Sequence, residues 1–208
     1  MTNEEITLHR GLQGVYFDRS ATTYIDGKQG ILEYRGYNIN DLAEQSTFEE
    51  TAYLLIHGKL PNQSELDAFD AELKAARELP EQVFDVIDIV KDSHPMDALR
   101  TAVSALASFD EDREDNSTEA TIRKGVRLTS QVPSIVMAHH NIRQGKEPIA
   151  PSSTLNHAGN FLYMLNGDEP SQEAIDLMDK DFVLHADHGS NASAFTARVV
   201  AGTSADLQ

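Results

Sequence analysis

The sequence predicts a mostly α-helical, multi-helical fold with a small β meander near its N-terminal end. Apolar residues recur at helical spacing through most of the chain after residue 47. Capping residues and prolines mark the starts of these periodic segments. Short β-branched or aromatic runs occur only between residues 15 and 36. We therefore assign residues 1–36 to an N-terminal segment with the meander and residues 37–208 to a helical domain.

The β region contains three short candidate strands, at residues 14–17, 22–25 and 30–34. The Asp26-Gly27 pair lies between the second and third of them and is a common hairpin turn. The pattern predicts a small meander at the edge of the fold.

The first four helices are predicted from caps and prolines. Thr47 and Glu50 have the spacing of a capping box, and the helix that they open closes at Gly58 and Pro61. Ser64 is the predicted cap of a second helix that stops at Pro80. Further helices are predicted to begin at Pro80 and at Pro95.

The second half of the helical region begins after a charged loop at residues 110–117. Helical pattern resumes over residues 118–142, where Pro133 is expected to kink or divide it. Two more helices are predicted at 156–166 and 171–185. A last helix follows a polar cluster in which Asn191 or Ser190 is the N-cap.

Composition excludes several classes of function. The chain has 208 residues, a net charge of −17 and no cysteine. The negative charge disfavours nucleic acid as a partner. The sequence contains no apolar run long enough for a membrane span and no secretory signal pattern. We expect a cytoplasmic protein of a reducing compartment, with no disulfide.

The most informative segment is the polar turn around residues 185–191, which contains two histidines. His188 lies in a tight turn before a helix start, a place suited to a carboxylate ligand. His185 and His188 could share a helix face, but a metal site generally needs three protein ligands, so we predict no metal. His185 is expected to be structural, and the role of Arg198 stays undecided.

The same segment resembles the oxaloacetate-binding turn of citrate synthases. The similarity lies in His-Ala-Asp-His at 185–188, Asn-Ala-Ser at 191–193 and Phe-Thr-Ala-Arg-Val at 195–199. Other motifs follow in the family's order: Gly-Leu-Gln-Gly-Val at 11–15, Tyr-Arg-Gly-Tyr-Asn at 34–38, Phe-Glu-Glu-Thr-Ala-Tyr-Leu-Leu at 48–55, Gly-Lys-Leu-Pro at 58–61, His-Pro-Met-Asp-Ala-Leu-Arg-Thr-Ala-Val at 94–103 and Asn-Phe-Leu-Tyr-Met at 160–164. The resemblance therefore covers nearly the whole chain from residue 11.

The resemblance implies the large helical domain of that family and assigns three site residues. His188 and Asn191 would contact oxaloacetate. Ser193 would not contact the substrate and would support a catalytic histidine. Asn191 is equally explained as a plain N-cap. The family also implies a homodimer. Small residues on the helix after Pro95 fit either such an interface or tight packing within one subunit; they are Thr101, Ala102, Ser104, Ala105, Ala107 and Ser108.

The family's catalytic motifs do not occur in this sequence. They are a Gly-Pro-Leu-His-Gly-Gly stretch, a Gly-His motif and a later aspartate. We therefore expect an N-terminal portion of a dimeric citrate synthase with no catalytic residue within this chain, inactive by itself. The short segment before residue 11 leaves no room for the extra domain of NADH-regulated forms, so no such regulation is expected.

The implied reaction condenses acetyl-CoA, a substrate, with oxaloacetate to give citrate and CoA, and it needs no metal or redox cofactor. Two alternatives stay open. One is a 2-methylcitrate synthase that uses propionyl-CoA. The other, from a different class, is a non-catalytic helical scaffold or oligomerisation module.

Overall fold

The computed structural model describes residues 11, 14, 19–189, 191–203 and 205. Its elements in chain order are β1 (Thr23–Asp26), β2 (Ile31–Tyr34), β3 (Tyr37–Asn38), α1 (Ile39–Gln45), α2 (Phe48–His57), α3 (Gln63–Ala75), α4 (Glu81–Ile89), α5 (Pro95–Leu106), a 3₁₀ helix (Ala107–Phe109), α6 (Thr118–Ile142), α7 (His157–Asn166), α8 (Gln172–His185) and α9 (Ala192–Ala201). The predicted class, mostly helical with a small N-terminal sheet, is confirmed.

The three strands form one antiparallel sheet in the order β1-β2-β3. The Asp26 carboxylate accepts hydrogen bonds from the backbone N–H groups of Lys28 and Gln29, which shapes the predicted turn between β1 and β2. A two-residue turn at Arg35 and Gly36, both with positive φ, leads into β3. Residues 15–17 of the strand predicted at 14–17 lie outside the described residues.

The β3 strand leads directly into α1, a helix that the sequence analysis missed. The side chain of Asn38, the last residue of β3, accepts a hydrogen bond from the Asn40 N–H and caps α1. The helix has only seven residues. So short a segment gives little periodic signal, and its stability comes from packing rather than from propensity.

The capping box predicted at Thr47 and Glu50 is present at the start of α2. The predicted cap of α3 is wrong. Asn62 caps this helix, and Glu65 completes a second capping box by accepting from the Asn62 N–H at 2.9 Å. The predicted end at Pro80 is also wrong, because α3 ends at Ala75, before the chain turns into α4.

Helix α6 is continuous over 25 residues, so Pro133 does not divide it. The charged loop at 110–117 does more than separate two helices at the surface, because it forms ion pairs with α6. Arg127 donates to Asp110 and to Asp112 at 2.7 and 2.8 Å, and Arg123 also donates to Asp112. These hydrogen bonds hold the pKa of Asp112 well below its usual range.

Three apolar clusters join the elements. One lies between α4, α5 and α6 around Ile87 and Ile135. A second joins α2, α3 and α6 around Leu73 and Val126. The third packs the sheet onto the helices, with Tyr34 of β2 against Leu54 of α2, Val183 of α8 and residues of α1. The hairpin is therefore fastened to the end of α8, where the polar turn begins.

Two helix starts are capped by carboxylates from other helices. The Glu49 carboxylate of α2 accepts a 2.7 Å hydrogen bond from the His157 N–H at the start of α7. The Asp179 carboxylate of α8 accepts from the Phe48 N–H at the start of α2. Both carboxylates are buried. Negative charge at a helix N-terminus is favourable, so these contacts fix α2, α7 and α8 against one another.

Candidate functional site

The polar turn connects α8, which ends at His185, to α9, which begins at Ala192. Gly189 lies in it with a φ of +63°, a conformation that favours glycine. The Asn191 side chain accepts a 2.8 Å hydrogen bond from the Ala194 N–H and caps α9. Of the two caps that the sequence allowed, Asn191 is therefore the one used, while Ser190 lies outside the described residues.

His188 is exposed in this turn. Within the described part of the chain, no hydrogen bond or ion pair involves its imidazole. The ring stands just before a helix N-terminus, where backbone N–H groups favour an anion. A ring N–H of His188 can therefore donate to a ligand carboxylate or carbonyl that approaches from solvent.

Asn191 and Ser193 are exposed on the same short stretch of chain. The carbonyl oxygen of the Asn191 side chain is used by the cap of α9. Its amide group can still donate to a ligand, so capping and substrate contact do not exclude each other. Ser193 lies in the first turn of α9. All three predicted site residues thus lie within six positions of one another, at an open surface.

Two side chains of the β-sheet form hydrogen bonds with the polar turn and the end of α8. The Tyr34 hydroxyl donates to the Leu184 carbonyl at 3.1 Å and accepts from the Asp187 N–H at 3.3 Å. The Thr23 hydroxyl donates to the Asp187 carboxylate. Burial raises the pKa of the Tyr34 phenol, and the nearby Asp187 charge raises it further, whereas the hydrogen bond to the Asp187 backbone lowers it. Sequence reasoning missed both residues.

The other histidines have separate surroundings. His185 is exposed and hydrogen-bonds the Asp181 carbonyl at 2.8 Å, in line with the structural role predicted for it. His94 caps α5 by accepting from the Met96 N–H. Buried His139 bonds the Lys91 carbonyl, whereas His140 faces Gln144. Across the part of the chain that the structure describes, no three His, Asp or Glu side chains converge as a metal site would require.

A surface cavity lies elsewhere, beside the charged loop. Its lining residues are Pro80, Leu106, Phe109, Asp110, Glu111, Arg127 and Gln131. The guanidinium of Arg127 in this lining is paired with the carboxylates of Asp110, Glu111 and Asp112, so it offers little net charge to an anion. None of the residues of the polar turn contributes to this cavity. The turn, and not the cavity, is therefore the candidate site.

Comparison with known proteins identifies the family. The sequence profile described as "Citrate synthase, C-terminal domain" matches residues 11–208. The chain belongs to the citrate synthase family. The citrate synthase of Haloferax volcanii is 47% identical over 205 residues, which are 96% of this chain and 54% of the relative. A 2-methylcitrate synthase of Mycobacterium tuberculosis is 37% identical over 206 residues, 99% of this chain and 52% of the relative.

Solved structures of the citrate synthase family share the fold. The enzyme of Pyrobaculum aerophilum superposes with a TM-score of 0.92 at 37% identity, covering 100% of this chain and 55% of that chain. The enzyme of Thermoplasma acidophilum, solved as a ternary complex with carboxymethyl coenzyme A and oxaloacetate, gives 0.91 at 25% identity, covering 97% and 53%. The chain thus spans about half the length of the relatives that it matches.

None of the described helices is long and apolar enough to cross a membrane.

Proposed function

We propose that this chain takes part in citrate synthase chemistry, the condensation of acetyl-CoA with oxaloacetate to citrate and CoA. Its contribution to the active site is the polar turn, which binds oxaloacetate. The observation that carries the proposal is the family match over residues 11–208 together with an exposed His188 at a helix start. A relative with the same fold was solved with oxaloacetate and a coenzyme A analogue.

The proposed site works through anion binding. Oxaloacetate is a dianion, and this chain carries a net charge of −17, so binding requires local donors. His188 supplies one, the Asn191 amide a second, and Ser193 supports a catalytic histidine of the complete active site. A base removes a methyl proton from acetyl-CoA, and the resulting nucleophile attacks the ketone to give citryl-CoA. Water then hydrolyses the thioester bond, which releases citrate and CoA. Acid and base groups with an anion clamp suffice, so we propose no metal or redox cofactor.

Two measurements on the natural protein test the proposal. Its intact mass is compared with 23.0 kDa, the mass of this chain. CoA release is then assayed with acetyl-CoA in the presence and absence of oxaloacetate. Release that depends on oxaloacetate supports the proposal. A natural protein of 23.0 kDa without such release would instead favour the scaffold alternative.

Replacing His188 by alanine should raise the KM for oxaloacetate about 10- to 100-fold. A hydrogen bond to a charged group contributes about 1.5–3 kcal/mol, and its loss weakens substrate binding accordingly. Steady-state kinetics of the natural protein checks this. His185→Ala is the matched control, because His185 is an exposed histidine three residues earlier and should change this KM less than twofold. An unchanged KM in His188→Ala would refute the assignment of the turn.

The acyl donor is the open point within this chemistry, because a 2-methylcitrate synthase is also among the relatives. The ratio of kcat/KM for acetyl-CoA and propionyl-CoA distinguishes the two activities. A ratio that favours propionyl-CoA would assign the protein to 2-methylcitrate synthesis.

We also infer a homodimer that forms through α5. Exposed residues recur every four positions along α5 and the 3₁₀ helix that follows it: Met96, Arg100 and Ser104 in α5, and Ser108 in the 3₁₀ helix. Met96 is 63% exposed, although it is apolar. The opposite face packs on α4 and α6 through Ala102 and Leu106. The small exposed side chains allow a second helix to approach closely.

We further infer a cytoplasmic location, which suits a chain without cysteine.

Substituting Ser104 by arginine should convert the dimer to a monomer and halve the mass measured by light scattering. A long charged side chain at the centre of this face would have to be buried without a partner. Ser64→Arg, the same change at an exposed serine of α3, is the control and should keep the dimer mass. A Ser104→Arg variant that remains a dimer would place the interface elsewhere, and a monomeric wild type would disprove the dimer.

A further inference from the structure

The residues on both sides of His188 lie against one cross-strand pair of the β-hairpin, formed by Thr23 and Tyr34. Thr23 of β1 and Tyr34 of β2 are direct partners in the sheet register. Both hydroxyls reach Asp187, which precedes His188: one contacts its backbone N–H and the other its carboxylate. The backbone and the side chain of Asp187 are thereby fixed at the same time. Thr23 and Tyr34 therefore set the direction in which the chain enters His188.

The Tyr34 hydroxyl completes the end of α8. The carbonyl of Leu184 belongs to the last turn of the helix, where carbonyl groups lack intrahelical partners. The phenol donates to this carbonyl and accepts from the N–H three residues later. One side chain therefore joins the helix end to the turn. It performs the capping task that glycine motifs perform at many helix ends.

The position of the phenol is itself rigid. Tyr34 is 0% exposed and packs against Leu54 and Val183. On the other side of His188, Gly189 lies near Thr23 of β1, since a Cβ atom added to this glycine would be 3.9 Å from the Thr23 Cβ atom. His188 is thus the exposed residue between two neighbours that both rest on the hairpin.

We propose that Tyr34 and Thr23 are positioning residues that orient the backbone at His188 for oxaloacetate binding. This inference rests on the function proposed above. Neither residue needs to touch the substrate. Their effect passes through Asp187, so their loss should weaken oxaloacetate binding and leave acetyl-CoA binding unchanged.

The test uses the natural protein and two pairs of variants. Tyr34→Phe removes only the hydroxyl and keeps the ring in its cluster, whereas Tyr37→Phe makes the same change at an exposed tyrosine of β3 in the same sheet. Thr23→Val removes the second hydroxyl with little change of shape, and Thr23→Ser restores one. For each variant, KM and kcat are measured with both substrates, together with the thermal midpoint.

Tyr34→Phe, which removes the hydroxyl that bonds both Leu184 and Asp187, and Thr23→Val, which removes the bond to the Asp187 carboxylate, should each raise the KM for oxaloacetate about tenfold. The KM for acetyl-CoA should stay within twofold. Tyr37→Phe and Thr23→Ser should resemble the wild type. A KM for oxaloacetate that stays within twofold in Tyr34→Phe overturns the inference. An equal rise of both KM values with a lower thermal midpoint also overturns it, because it indicates general destabilisation.

The failure of the proposed function gives a different result. In that case the wild type itself releases no CoA in the presence of oxaloacetate, and the inference falls with the function. A wild type that is active, with Tyr34→Phe equally active, refutes only the positioning role. The two failures are therefore distinguished by the wild-type assay alone.

Discussion

Replacing Arg77 by methionine is expected to lower the free energy of unfolding by about 3–5 kcal/mol. The Arg77 side chain is buried, at 1% exposure, where α3 turns towards α4. It donates to the carbonyl oxygens of Ser152 and Leu155 at 2.7 and 2.9 Å. Both carbonyls belong to the partly buried loop that leads into α7, and methionine would remove the donor that they share.

The charge of Arg77 matters as well as its hydrogen bonds. Burial lowers the pKa of the guanidinium, and the carboxylates of Glu49 and Asp70 act in the opposite direction. Removing the cation therefore also removes a favourable interaction of the buried Glu49, which holds the start of α7. Breaking such a buried arrangement from one side costs more than the arrangement contributes as a whole.

Urea unfolding of the natural protein measures this effect. Lys74→Met is the matched control, because Lys74 lies one turn earlier and forms a partly exposed pair with Asp70. Surface pairs contribute little, so this variant should lose less than about 1 kcal/mol. Equal losses in the two variants would show that the carbonyl contacts of Arg77 do not stabilise the fold.

Replacing His157 by phenylalanine should make the protein more resistant to acid. The free energy of unfolding of the variant minus that of the wild type should be about 2–3 kcal/mol larger at pH 4.5 than at pH 7.5. The His157 ring is buried between two phenylalanine rings, with centroids 4.6 Å from Phe48 and 5.6 Å from Phe182. Its Nδ1 atom has no hydrogen-bond partner in the described structure.

The direction follows from the pKa values. Burial, together with the nearby Arg77 cation, lowers the pKa of His157 to about 4. The unfolded chain protonates this histidine near pH 6.5. Between these two values the unfolded state binds more protons, so stability decreases by about 1.4 kcal/mol per pH unit as the pH falls. Above pH 6.5 this cost is absent, and phenylalanine removes it throughout.

Asp179 opposes this effect in the wild type. Burial raises the pKa of its carboxyl to about 6, although the hydrogen bond from the Phe48 N–H acts against the rise. Folding therefore takes up a proton at this site between about pH 6 and 4, and this contribution grows as the pH falls. The wild-type profile is thus a difference of two terms. Because Asp179 is present in both proteins, comparing His157→Phe with the wild type isolates the histidine.

The comparison is made by urea unfolding at both pH values. His185→Phe, the same change at an exposed histidine, should differ from the wild type equally at pH 4.5 and 7.5. The explanation would be wrong if the difference between His157→Phe and the wild type did not change with pH.

Local signals predicted most element boundaries. The Thr47 capping box and the prolines before α4 and α5 mark helix starts correctly, because caps act through hydrogen bonds within a few residues. The same locality explains an error. Ser64 and Asn62 are both suitable caps, and only Asn62 has a glutamate three residues later, which decides the start of α3.

Features that depend on packing between elements of the fold were predicted wrongly from the sequence or could not be predicted from it. Pro133 predicted a kink or a division, and α6 is not divided there. Helix α1 is too short to show periodicity and depends on burying Ile39 and Leu42. The candidate site divides in the same way. His188, Asn191 and Ser193 were readable as one polar segment, whereas Tyr34 and Thr23 were not.

By itself, the sequence determined the mostly helical class, the hairpin, the family and the polar segment that carries His188, because each depends on residues close together in the chain. Only the tertiary structure decided what holds that segment. Tyr34 and Asp187 are 153 residues apart, and Glu49 and His157 are 108 apart. Such pairs form because buried polar groups must find partners, and which partner is near depends on how the helices pack.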